Sequence, residues 1–150
     1  MEKDMEKEKI EIMVICDDER HLNELTSDIN RRLAEIASAI GRRGAEITVV
    51  SFARTSDLNG TTAFNVENLK VIVLSCAGRA DPPYDLWVLR HRFPRASRVG
   101  ELDIDTQERA YHMIDCWGAD DIFSKGEDVV DVIIKILELR SWLASWDNCR

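Results

Sequence analysis

Two acidic residues and one lysine fall where buried segments of the chain give way to polar residues. Asp17 and Asp18 follow the apolar run IEIMVIC at residues 10–16, and Lys125 follows the short run DIFS at residues 121–124. Adjacent carboxylates suit a hard cation such as Mg²⁺, because that ion prefers oxygen ligands and charge compensation. A lysine ammonium is a compact charge that suits a phosphoryl oxygen. The alternative is that Asp17 and Asp18 only cap the helix that follows them.

The other reactive residues show no spacing typical of an enzyme or zinc site. None of the four cysteines forms a CxxC pair; they are Cys16, Cys76, Cys116 and Cys149. The histidines show no metal-ligand spacing, and we expect His21 and His112 to lie at the surface or at an edge of the domain. No nucleophile elbow, phosphate-binding loop or dinucleotide-binding fingerprint is present. We therefore expect reduced thiols and no enzymatic activity.

The spacing of apolar residues predicts alternating strands and helices. Short runs rich in Ile and Val predict strands at residues 10–16, 47–52, 69–76, 97–102 and 121–124. Apolar residues three and four apart predict helices over residues 20–40, 84–93, 106–117 and 127–146. A further short helix is expected within the polar stretch 53–68. This alternation predicts a parallel sheet covered on both faces, with the carboxyl ends of its strands meeting at one edge.

The size and charge of the chain limit its function. Its 150 residues, 45% of them hydrophobic, predict one domain with a substantial core. Residues 1–9 read as a flexible charged lead-in and residues 10–147 as the single domain, with no separate output domain. The net charge of −8 disfavours nucleic-acid binding. The absence of a secretory signal, and of an apolar run of about 20 residues, predicts a cytoplasmic protein without a membrane segment.

Two short motifs resemble the two ends of a response-regulator receiver domain of the CheY-like family. The first is VICDDE at residues 14–19, and the second is GADDIFSK at residues 118–125. The resemblance implies a flavodoxin-like α/β/α sandwich of three layers, with a five-stranded parallel sheet in the order 2-1-3-4-5. It also implies that Asp17 and Asp18 hold Mg²⁺ and that Lys125 contacts a phosphoryl group.

The residues between these motifs depart from the family pattern. In the family an Asp at the end of strand 3 accepts the phosphoryl group, but here Ser75 takes that position, or Cys76 if the alignment slips by one residue. A Thr or Ser ends strand 4 in the family, and counting back from Gly118 places Asp103 there. A serine hydroxyl cannot form an acyl phosphate, and Mg²⁺ loses a carboxylate ligand. We therefore predict a degenerate phospho-site at Ser75, Asp103 and Lys125, with weakened Mg²⁺ binding.

The last predicted helix has a second apolar line besides its core side. Leu139, Trp142 and Trp146 belong to it, and the two tryptophans share one face because they are four residues apart. They either extend the core or form a surface for a homodimer or another protein. The resemblance favours a surface, because receivers use the face of helix 4, strand 5 and helix 5 for output.

The sequence as a whole predicts a stand-alone receiver-like signalling domain of two-component type. It would lack the phospho-acceptor Asp and act by binding a protein, either a sensor kinase or another signalling protein. One alternative is a phosphorylatable response regulator with a shifted active site that uses Asp103. The other is a small flavodoxin-like enzyme or nucleotide-binding protein that uses Asp17, Asp18 and Lys125.

Overall fold

Strands and helices alternate along the chain in the computed structural model, which describes residues 8–39, 45–75, 84–102, 107–124 and 126–148. The strands are β1 (Lys9–Ile15), β2 (Glu46–Phe52), β3 (Leu69–Ser75), β4 (Ser97–Leu102) and β5 (Asp121–Ser124). The helices are α1 (Glu19–Arg31), α2 (Leu33–Ala39), α3 (Tyr84–Arg92), α4 (Gln107–Asp115) and α5 (Val129–Asn148). Within the described ranges no helix is long and apolar enough to cross a membrane.

The five strands form one parallel sheet in the order β2-β1-β3-β4-β5. This order and the flanking helices confirm the predicted flavodoxin-like sandwich. β1, β3 and β4 are buried along nearly their whole lengths, because helices cover both faces of the sheet. β2 is an edge strand and is only partly buried.

Successive residues of each central strand point into two separate cores, because side chains alternate across a strand. On one face Ile12 and Val14 of β1 pack with residues of α1, α2 and α5. On the other face Met13 and Ile15 pack with residues of α3 and α4. The period-two pattern therefore assigns each residue of a central strand to one of two helical layers.

The first predicted helix, residues 20–40, is divided in the structure into α1 and α2. The break lies at Arg32, whose backbone leaves the helical conformation. The Arg32 guanidinium binds Glu35 and Asp128, and its Nη2 lies 3.1 Å from Asp131 Oδ1. These carboxylates raise the pKa of Arg32 above its ordinary value, with Glu35 as the largest cause. Arg32 thus ties the break to the start of α5.

The connection between β2 and β3 contains 3₁₀ turns in place of a full α-helix. The turns span Thr55–Leu58 and Val66–Asn68. Leu58 is fully buried, and Phe64 packs edge-on against Phe52 and Phe93 with ring centroids 6.0 and 5.7 Å apart. These side chains thus belong to the core on the face of the sheet that α3 and α4 cover.

Candidate functional site

The acidic pair lies at the junction between β1 and α1, with both residues exposed. Asp18 is the N-cap of α1, and its Oδ1 accepts hydrogen bonds from the backbone N–H groups of Arg20 at 3.1 Å and His21 at 3.4 Å. These bonds satisfy two of the amide groups that a helix start leaves without partners. Asp18 therefore has the capping role that was one of the two alternatives for this pair.

Ser75 is the last residue of β3, as its predicted position requires, and it is buried. Its partner in the register of the neighbouring strand β4 is Glu101. The Ser75 hydroxyl donates a hydrogen bond of 2.7 Å to Glu101 Oε1. Glu101 is only 1% exposed, so a carboxylate is buried beside the position that the resemblance assigns to the phospho-acceptor.

His21 supplies the second partner of Glu101. The ring lies in the first turn of α1, and its Nε2 is 2.6 Å from Glu101 Oε1. The His21 side chain is only 13% exposed, because it packs against Glu101 at the edge of the sheet. The two lone pairs of Oε1 can accept both the serine and the imidazole hydrogen bonds. We refer to Ser75, Glu101 and His21 as the carboxyl-edge cluster.

The carboxyl-edge cluster satisfies a charge that burial would otherwise penalise. An isolated carboxylate in an apolar interior is costly unless it is hydrogen-bonded or paired. Glu101 obtains a hydrogen bond from Ser75, and an opposite charge from His21 when the imidazole is protonated. The carboxylate is therefore held by protein groups and needs no metal ion to remain buried.

The residues of this edge do not fit the Mg²⁺ site that the receiver resemblance implies. Asp18 Oδ1 is engaged in capping α1, and Ser75 offers a neutral hydroxyl in place of a carboxylate. In the described part of the chain, no group of three His, Cys, Asp or Glu side chains is placed to hold a metal ion. We therefore derive no chemistry through a metal at this edge.

Cys16 lies under the same edge, at the end of β1, and is buried. Burial raises the pKa of its thiol, and Asp17 and Glu101 act in the same direction. Hydrogen bonding to the Asp18 backbone and to Ser75 opposes this rise only in part. Because the thiolate is the nucleophilic form, Cys16 is a poor nucleophile in the folded protein.

A cavity of about 310 Å³ opens beside the carboxyl-edge cluster. It lies where β1 and β3 adjoin, the point at which the strand order reverses and ligands usually bind in such sheets. Its polar lining includes Asp17, Arg54 and Ser75. Thr55 also lines it, and the Thr55 Oγ1 is buried with no hydrogen-bond partner among the groups that the structure describes.

Three of the predicted site residues, Cys76, Asp103 and Lys125, lie outside the described residues, as does the side chain of Trp146. The sequence analysis missed Glu101 and the role of His21. On α5, Leu139 and Trp142 are exposed, together with the adjacent Leu143. The predicted apolar line on the last helix thus includes two side chains that the core does not bury.

Comparisons with known proteins identify the fold. No protein-family model matches the sequence, and no curated protein matches it. A receiver domain from Clostridium thermocellum has a TM-score of 0.65 at 14% identity, with 90% of this chain and 98% of that chain covered. A two-component response regulator from Clostridium difficile has a TM-score of 0.63 at 14% identity, with 87% and 96% covered. A Francisella response-regulator receiver domain has a TM-score of 0.59 at 17% identity, with 88% of this chain and 98% of that chain covered.

These neighbours share a class of architecture with this chain. The protein has the CheY-like fold of response-regulator receiver domains, as the two terminal motifs predicted. Sequence identities of 14–17% extend the likeness to the fold alone.

Proposed function

We propose that this protein is a receiver-like signalling domain of two-component type that acts by binding another protein, without a phosphorylated aspartate. The carboxyl-edge cluster is the observation that supports this function. Receivers place the acceptor Asp on strand 3 and a hydroxyl on strand 4. Here the hydroxyl of Ser75 ends β3, and its register partner on β4 is the carboxylate of Glu101. We take Glu101 as the strand 4 position in place of Asp103, so the hydroxyl and the carboxylate have exchanged strands.

The exchanged carboxylate is a poor phosphoryl acceptor. Glu101 is 1% exposed, and its Oε1 accepts hydrogen bonds from Ser75 and His21. Attack by that oxygen on a phosphodonor would break both bonds, and the product would place a dianion where the protein buries a single carboxylate. Burial of unpaired charge is expensive, so this route is disfavoured. Mg²⁺ binding through Asp17 and Asp18 is weak, because Asp18 caps α1 and Ser75 supplies no carboxylate ligand.

Phosphoryl analogues test the proposal directly. We expect that beryllofluoride with Mg²⁺ leaves the tryptophan fluorescence of the protein unchanged, and that acetyl phosphate adds no phosphoryl group to its intact mass. A designed exchange, Ser75→Asp with Glu101→Thr, restores the receiver arrangement and should respond to beryllofluoride. The Ser75→Asp and Glu101→Thr single variants are the matched controls.

A phosphoryl group on the wild-type protein would overturn the proposal. Peptide mapping of the modified residue to Asp103 would then favour the response regulator with a shifted site. A nucleotide that co-purifies with the protein would favour the flavodoxin-like enzyme or binding protein instead.

The exposed side of α5 is the surface that we assign to the protein partner, in the cytoplasm. Leu139 and Trp142 present apolar area there. Exposed apolar patches of this kind favour protein contacts. The partner is a sensor kinase, another signalling protein or a second copy of this chain.

Two tryptophans of similar exposure test this surface. Trp142 on α5 is 55% exposed and Trp87 on α3 is 48% exposed. We expect Trp142→Ala to weaken self-association, measured by sedimentation velocity, or binding to a cognate sensor kinase, measured by calorimetry. Trp87→Ala should leave both unchanged. Equal losses in the two variants would contradict the assignment to α5.

A further inference from the structure

A second pocket lies at the opposite, amino-terminal edge of the sheet, and no role has been assigned to it so far. Its volume is about 490 Å³, which is within the range of ligand-binding sites. Leu69, the first residue of β3, lines it, whereas Ser75 ends the same strand. At about 3.3 Å per residue, the six intervening steps separate the pocket from the carboxyl-edge cluster by about 20 Å. We refer to it as the amino-edge pocket.

The charge of the amino-edge pocket is opposite to that of the whole protein. Lys70, Arg95 and Arg140 line it, against the single acidic residue Glu67. The chain as a whole has a net charge of −8. A local excess of positive charge in an acidic protein makes this pocket a distinct attractive site for anions.

Within the described residues, the two arginines of the pocket have no carboxylate at ion-pair distance. Arg140 is half-buried, and its Nη1 donates a hydrogen bond of 2.9 Å to the hydroxyl of Ser97. Burial lowers the pKa of Arg140, and the more distant charge of Asp120 opposes this only in part. Across the described ranges, neither Arg140 nor Arg95 forms an ion pair with a carboxylate. Lys70 Nζ donates to a backbone carbonyl, that of Glu67, at 3.3 Å.

Apolar side chains lie beside these cations. The pocket is lined by the buried residues Phe93 and Ala96 and by the exposed residues Val66 and Pro94. A simple inorganic anion would leave this apolar surface unused. A ligand that joins a carboxylate to an apolar group would use both parts of the lining, because guanidinium groups bind carboxylates in a bidentate geometry.

We infer that the amino-edge pocket binds an acidic peptide segment of a partner protein. A carboxylate side chain of that segment pairs with Arg140 and Arg95, and an adjacent apolar side chain packs against Val66 and Pro94. The inference goes beyond the proposed function, because it places a second contact on the side of the molecule remote from the degenerate phospho-site. It holds whether or not that site can be phosphorylated.

Labelled peptides test this inference on the full chain. The probe is a fluorescein-labelled nonapeptide of three Glu-Glu-Leu repeats, followed by fluorescence polarisation. Peptides with Lys in place of Glu, or with Ser in place of Leu, test the charge and the apolar group separately. The variants are Arg95→Glu and Arg140→Gln. Arg20→Glu on α1, an exposed arginine outside the pocket, is the matched control.

The expected result is saturable binding of the Glu-Glu-Leu peptide, weakened by increasing salt. Arg95→Glu and Arg140→Gln should each raise the dissociation constant about tenfold, whereas Arg20→Glu should change it less than twofold. The amide resonances of Lys70 and Arg95 should shift during the titration. Circular dichroism distinguishes loss of binding from loss of fold in Arg140→Gln, and Arg95→Glu tests the pocket without disturbing a half-buried group.

Several results would overturn the inference. Absence of saturable binding up to millimolar peptide would do so, and so would equal weakening by Arg20→Glu, which would indicate attraction to any acidic molecule. Inorganic phosphate that competes fully with the peptide, together with equal binding of the Glu-Glu-Ser peptide, would identify a simple anion site. Protein self-association that is lost in Arg95→Glu, without peptide binding, would identify a second copy of the chain as the occupant.

Discussion

Strand β4 has a buried arginine, Arg98, near its amino end and a buried glutamate, Glu101, near its carboxyl end. Different kinds of groups bind these two charges. Arg98 is 7% exposed, and its Nε and Nη1 donate to the backbone carbonyls of Gly118 at 2.8 Å and Ala96 at 2.9 Å. Its Nη2 also lies 3.4 Å from Asp120 Oδ2. Glu101, in contrast, is held by the side chains of Ser75 and His21 among the residues that the structure describes.

The contrast separates a charge held mainly by the backbone from a charge held by side chains. Backbone carbonyls cannot be removed by substitution, so the contacts of Arg98 with Gly118 and Ala96 are part of the fold, whereas its contact with Asp120 is to a side chain. The partners of Glu101 are side chains, which substitution can change. Substitution can therefore change the contacts of the buried charge at the carboxyl end of β4 more readily than those of the buried charge at its amino end.

Removal of the buried arginine should have the largest effect. Arg98→Ala leaves the carbonyls of Gly118 and Ala96 without their donor and Asp120 without its cation. We expect a loss of about 3 kcal/mol in the free energy of unfolding, measured by urea denaturation. Arg95→Ala, an exposed neighbour, should change stability by less than about 0.5 kcal/mol. Similar losses in both variants would show that Arg98 has no special structural role.

Neutralising the buried acid should have a smaller effect. Glu101→Gln keeps the shape and an acceptor oxygen but removes the charge that strengthens the bonds from His21 and Ser75. We expect a loss of about 1.5 kcal/mol, compared with less than about 0.5 kcal/mol for the exposed Glu24→Gln. A double-mutant cycle of Glu101→Gln with His21→Ala should give a coupling of about 1 kcal/mol. Additive losses would mean that the two groups do not interact.

The smallest effect concerns reactivity rather than stability. Cys16 is buried and has a raised pKa, whereas Cys116 is exposed. We expect iodoacetamide to modify Cys16 at least about tenfold more slowly than Cys116, followed by peptide mass spectrometry. Denaturation in urea should remove the difference. Equal rates in the native protein would mean that the carboxyl edge opens readily.

The same raised pKa gives a pH dependence with a defined sign. The Cys16 thiol is neutral when protonated, so its burial disfavours the thiolate in the folded state. Its contribution to stability is complete below its ordinary value of 9.0 and is lost as the pH rises through the higher pKa of the folded state. Cys16→Ala should flatten this alkaline part of the stability profile.

The sequence was sufficient for the fold because buried parallel strands and amphipathic helices have distinct apolar periods. All five strands formed within one residue of their predicted bounds, and their order agrees with the prediction. The break at Arg32 was not predicted, and the short helix expected within residues 53–68 is present as two 3₁₀ turns. The break at Arg32 has no Gly or Pro to mark it and depends on ion pairs with α5. The stretch between β2 and β3 forms 3₁₀ turns, because its polar residues lack a continuous apolar stripe.

The site was harder to predict because it depends on a buried glutamate, and glutamate side chains are usually exposed. A glutamate in a strand is normally exposed, so Glu101 was overlooked in the run SRVGEL. The predicted position of β4 inside the sheet could have indicated that Glu101 is buried. Both faces of such a strand are covered, so a charged side chain on it needs a partner. His21 precedes the buried Leu25 by four residues, which places both on the same side of α1.

The Ser75–Glu101 pair also has a consequence for how the chain reaches its fold. Side chains of β3 and β4 alternate between two helical layers, and Glu101 lies on the side of α1. A slip of β4 by one residue would turn its carboxylate toward Leu86 and Leu89, which offer no hydrogen bonds. Such misalignment would leave a charge unpaired, at a cost of several kcal/mol. The Ser75–Glu101 pair therefore favours the native register of β3 and β4 over registers shifted by one residue.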